Sequence, residues 1–64
     1  MKISAKKIEI LMARNKLSHN DLADRSGIRR QNLTIIKQRG SCTPRLAMKI
    51  ADGLDVDVTE IMED

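Results

Sequence analysis

An all-α domain, a bundle of five short helices, is the fold predicted by these 64 residues. Three observations carry that expectation. Apolar residues recur at helical spacing, and nowhere do they keep up the alternation of a half-buried strand. Helix start and stop signals separate the periodic stretches: Ser18 with Asp21, Thr43 with Pro44, and Gly27. A chain of this length also has room for only one domain with a single modest core.

In "KISAKKIEILMARN", Ile8, Leu11 and Met12 fall at i, i+3 and i+4 and predict a first helix from about Ser4 to Arg14. Ser18, with Asp21 three residues on, resembles a capping box and opens a second helix with Leu22 and Ala23 facing inward. Gly27 stops it, as a glycine in left-handed conformation does. A third helix, from about Arg30 to Gln38, buries Leu33 and Ile36. Thr43 as N-cap and Pro44 at the first position, where its missing N–H costs nothing, open a fourth. Leu46, Ile50 and Leu54, flanked by Ala47 and Ala51, are its apolar stripe. Asp57 and Glu60 mark an acid-capped start to a short fifth helix holding Val58, Ile61 and Met62.

Aliphatic residues and methionine must fill the core, because the chain has no Phe, Tyr or Trp. Its one cysteine, Cys42, cannot form an intrachain disulfide. With no signal-peptide pattern and no apolar run long enough for a membrane, a reducing cytoplasm is the expected setting. Charge is unevenly placed. Residues 1–51 carry all 12 Lys and Arg against three acids (Glu9, Asp21, Asp24), a balance of +9. Residues 52–64 carry six acids and no base, a balance of −6. A basic body with an acidic tail suits a polyanionic partner, with the tail kept away from it.

Residues His19 to Gln38 form a helix, a three-residue turn and a second helix. Ala23 permits close approach, Gly27 makes the turn, and Ile28, Leu33 and Ile36 lock the pair. This unit resembles the helix-turn-helix of the phage repressor and Cro-like (Xre-type) DNA-binding family. "LSHNDLADRSGI" is similar to that family's LSQ-x-x-LA-x-x-x-G-[VI] pattern. "PRLAMKIADGLDVDVTEI" is similar to its fourth and fifth helices, P-x-x-L-x-KIA-x-AL-x-V-x-x-x-EL. The resemblance covers nearly the whole chain and implies a lambda-repressor-like fold. It also implies a sequence-specific transcriptional regulator, expected to be a repressor, acting as a homodimer on a palindromic operator in double-stranded DNA.

The major groove, about 12 Å wide, admits one α-helix whose N-terminal side chains reach base edges. The family's base-reading positions fall here on Arg30, Gln31, Thr34 and Ile35. Arg30 suits guanine O6 and N7, Gln31 adenine N6 and N7, Thr34 a base or phosphate, and Ile35 a thymine methyl. Leu33 and Ile36 already occupy the inward face, so Ile35 points elsewhere. The resemblance further places phosphate contacts at Ser18 and His19, where free N–H groups and the helix dipole favour an anion. Arg29, Lys37, Arg39 and the N–H groups around Gly40 and Ser41 are the other expected backbone contacts. For each basic residue the competing role is a solubilising charge.

The chain departs from the family pattern in several places. Many relatives join an Arg on the first helix to a Glu ending the third; here those positions hold Met12 and Lys37, so an apolar contact between them is expected instead. Arg29 stands where Ser or Thr caps the third helix, and it offers no acceptor. Ser26 occupies a turn position that is usually apolar, and "KQRGSCT" differs in length. Cys42 lies in that loop with no resolving cysteine nearby, so an inert thiol is expected.

No grouping of residues has metal-ligand or triad spacing, so neither an enzyme nor a metal or other cofactor is expected. The rival function is a protein-interaction module, such as an antitoxin or adaptor, that binds a partner protein through its apolar and acidic C-terminal segment, with Ile10 and Met48 left over for a second interface. Val56, Val58, Ile61 and Met62 are the candidate dimer surface, packing on the core being their other possible use.

Overall fold

The computed structural model describes residues 1–63. Four α-helices, α1 (Ala5–Arg14), α2 (His19–Ser26), α3 (Arg30–Arg39) and α4 (Pro44–Leu54), precede a single 3-10 turn at Val58–Glu60. The predicted fifth helix is therefore corrected to one turn. Asp57 does cap it, its carboxylate accepting from Thr59 N at 2.9 Å. Beyond the turn, however, the backbone extends. Ser4 N donates to Ile61 O at 2.8 Å and Glu63 N to Lys2 O at 3.2 Å, around an antiparallel bridge of Ile3 with Met62. A helix running on through Met62 would forfeit both bonds.

Local chemistry sets the other boundaries. Ser4 caps α1 by accepting from Lys7 N at 3.1 Å, and Thr43 caps α4 by accepting from Leu46 N at 3.3 Å. Ser18 and Asp21 make the full capping box of α2, with bonds of 3.1 and 2.9 Å. The Ser18 amide, and after it the Ser18 hydroxyl, stabilise the ionised carboxylate and hold the Asp21 pKa below its ordinary value. Gly27, at φ 74°, turns the chain out of α2 in the left-handed conformation that a side chain disfavours. α1 and α4 end less comfortably. Lys16 (φ 56°) and Asp55 (φ 58°) take the same left-handed conformation without being glycine.

The core runs through all of these elements. Ile8, Leu22, Leu33, Ile50, Leu54 and Ile61 are completely or almost completely buried, and so is Ile3, which no periodic stretch contains. Residues Met1–Ser4 form an extended arm between two other segments. On one side it meets Ile61–Glu63; on the other, Ile3 N donates to Gly40 O and Cys42 N to Met1 O, each at 3.0 Å. The arm carries Ile3 into the core. Cys42, beside it, is half-buried, and desolvation raises the pKa of its thiol.

α2 packs against both α3 and α4. Gly53 makes the second contact close: a Cβ there would lie 3.1 Å from Ser26 N and 3.2 Å from Ser26 Cβ. The buried Ser26 is satisfied locally, its hydroxyl donating to Ala23 O and accepting from Ile28 N, both at 3.3 Å. A serine is thus accommodated where relatives are usually apolar.

Two stability measurements follow. Lys16→Gly and Asp55→Gly should each stabilise the domain by about 1 kcal/mol, because relief of left-handed strain exceeds the added entropy of the unfolded chain. Thermal melts should show a rise of roughly 4–8 °C for each. By contrast, Gly53→Val should destabilise by about 1–3 kcal/mol in chemical denaturation, because its branched side chain must displace Ser26 and α2.

Candidate nucleic-acid interface

α3 divides its residues by face. Leu33 and Ile36 are buried against α2 and the core, while Arg30, Gln31, Thr34 and Ile35 are exposed. Ile35 keeps 47% of its surface in solvent. Beside it lies an open recess of about 280 Å³ lined by Asn32, Ile35, Ile36, Arg39 and Leu46. No acid occurs on α3, and its N-cap, Arg29, makes no side-chain capping bond. The first turn therefore keeps its free N–H groups, with two guanidinium groups beside them.

The start of α2 is tied to α3. His19 Nε2 lies 3.1 Å from Arg30 O and 3.1 Å from Thr34 Oγ1, and the Thr34 hydroxyl donates to Arg30 O at 3.1 Å. The carbonyl can only accept, so the tautomer with its proton on Nε2 fits. Asn20, next along α2, accepts from Arg30 Nη1 through Oδ1 at 3.2 Å. Sequence reasoning passed over Asn20, since an exposed polar residue in a first helical turn carries no distinguishing signal.

The expected phosphate contacts differ in which of their polar groups are already engaged within the fold. Nε2 of His19 faces α3, where Arg30 O and Thr34 Oγ1 engage it. The amide of Ser18 is taken by Asp21, which leaves the first N–H groups of α2. Gly40 N donates to Ile36 O at 2.9 Å and closes α3, so it has no proton to offer. Ser41 differs. It sits at a bridge with Lys2 whose flanking bonds belong to its neighbours, so its own N–H points away from the arm. Lys37 is half-buried and forms an ion pair with Glu9 of α1. The expected apolar replacement of the relatives' ion pair is thus an ion pair of reversed polarity, with its α1 member one turn earlier. Arg29 and Arg39 remain exposed, with no ion-pair partner among the described residues.

The four candidate dimer residues differ in burial. Ile61 is completely buried and belongs to the core. Val56 and Val58 are half-buried against that core, and Met62 is half-buried in the bridge to Ile3. Among the described residues no group of His, Cys, Asp or Glu is placed to hold a metal ion, and no helix is long and apolar enough to cross a membrane.

The family model of the Cro/C1-type helix-turn-helix DNA-binding domain matches residues 7–64. The chain belongs to that family. No curated protein and no solved structure matches it. As a Cro/C1-type domain, the chain is a DNA-binding regulator.

The uncapped start of α3 gives a test specific to this Cro/C1-type domain. Arg29→Asp supplies an acceptor and a charge suited to the helix N-terminus, so it should stabilise the fold by about 0.5–2 kcal/mol. The same change replaces a cation by an anion at the exposed, acid-free start of α3. Affinity for DNA should therefore fall while the unfolding midpoint rises, a combination read by titration and denaturation of one variant.

Proposed function

We propose that this domain is a sequence-specific transcriptional regulator, in the sense of a repressor, that reads the major groove with α3. The observation that carries the reading is the outward face of α3: Arg30, Gln31, Thr34 and Ile35 exposed together on an acid-free helix whose other side is core. Arg30 and Gln31 supply bidentate donors and acceptors for guanine and adenine. Ile35, beside its apolar recess, suits a thymine methyl. Thr34 contributes shape more than hydrogen bonding, because its proton goes to Arg30 O. Arg29, Arg39 and the Ser41 N–H hold the phosphate backbone, together with the N–H groups opening α2.

One such module buries too little surface for tight specific binding, so a homodimer on a palindromic operator is the working form. Half-sites then lie one helical turn, roughly 34–36 Å, apart. Val56, Val58 and Met62 are the remaining apolar candidates for the contact between copies. A cytoplasmic location follows from this role and from the unpaired thiol.

A second reading, a protein-interaction module such as an antitoxin or adaptor, rests on Ile10 and Met48, which are 51% and 50% exposed outside the reading face. Selection of bound duplexes from a random library separates the two. The regulator reading expects a motif with two-fold symmetry, from which Arg30→Ala and Gln31→Ala each erase single positions. Each lost bidentate contact should remove about 1–3 kcal/mol of discrimination. Binding without sequence preference, or none at low salt, would transfer the assignment to the interaction module.

A further inference from the structure

Two neighbouring residues of α2 hold Arg30 at its two ends. His19 bonds its carbonyl, and Asn20 bonds its guanidinium. From the second of these bonds we infer that Asn20 is a positioning residue for base readout by Arg30; the inference rests on the function proposed above.

The chemistry of the pair supports this role. Asn20 Oδ1 takes a proton from Nη1, the terminal nitrogen on the Cδ side of the guanidinium. The opposite edge, Nε–H with Nη2–H, is left open, and that fork matches the two acceptors of a guanine in the major groove. An unbraced arginine samples many rotamers and loses that freedom on binding. A brace present before DNA arrives reduces that loss and favours the fork's productive direction.

Nothing else in the fold asks for a carboxamide at this position. Asn20 is exposed, whereas Leu22 and Ala23 on the same helix are buried in the core. The capping of α2 is complete without it, through Ser18 and Asp21. Asparagine is also a poorer helix former than alanine. Fold stability alone would favour its replacement.

The test is a double-mutant cycle on the full chain: wild type, Asn20→Ala, Arg30→Ala and the double variant. Each is measured on the library-selected duplex, on its single-base variants and by thermal melting. Asn20→Ala should leave the melting midpoint equal or higher. It should lower discrimination about three- to tenfold, the worth of one hydrogen bond, at the base pair that Arg30→Ala affects and at no other. In the Arg30→Ala background it should do nothing further. Asn20→Asp keeps the acceptor, so it should retain discrimination at that base pair while weakening binding to all sequences alike. If Arg30→Ala itself spares every position, the reading of bases by Arg30 falls, and the positioning role with it. If Arg30→Ala erases a position but Asn20→Ala acts evenly, additively or not at all, the positioning role alone is overturned.

Discussion

Gly53 presents no Cβ, so α4 can lie against the backbone of Ser26 at the end of α2. That approach fixes α2 from behind, and α2 in turn fixes α3. Leu22 is completely buried, as is Leu33 on α3, and the left-handed Gly27 sets the direction of the turn between the two helices. The outward face of α3 is thus aimed by packing two layers away. In a core without aromatic rings, close approach of backbones does what large side chains do elsewhere, filling space that small aliphatic groups would leave empty.

The interface built on this scaffold is electrostatically one-sided. α3 begins with two arginines and no cap, next to the end of the helix that already carries partial positive charge. Such an arrangement is unfavourable for an isolated domain and becomes favourable when an anion arrives. Lys37 shows the opposite treatment. Its charge is matched internally by Glu9, which ties α3 to α1 and withdraws that charge from the surface. The cations near α3 are thereby sorted into Lys37, which holds the fold, and the arginines, which stay exposed.

What the sequence made legible was local. Ser18 with Asp21, Thr43 with Pro44, and Gly27 each act within a few residues, and the structure has all three devices in place. Leu33 and Ile36 were equally readable, since a helix face follows from spacing alone. Missed features depend on partners far away in sequence. Ile3 is one apolar residue in an extended arm, with no period to reveal it, and its burial depends on Gly40 and Ile61. The same pairing stopped the expected fifth helix. On the site, exposure of the reading residues was legible, whereas the occupation of His19, Ser18, Gly40 and Lys37 was not. Each is engaged by a donor or acceptor that residue type alone does not specify.

The arm of Met1–Ser4 has a kinetic consequence. Its backbone partners lie at residues 40–42 and 61–63, so each bond closes a loop spanning most of the chain. Such closures carry the largest entropic cost and are made after local contacts have formed. During synthesis the arm emerges before either partner exists, and Ile3 stays in water until the helices have assembled. The helix-turn-helix can therefore form around an unfinished core. The arm's docking is then the step that completes the core and closes the loop after α3.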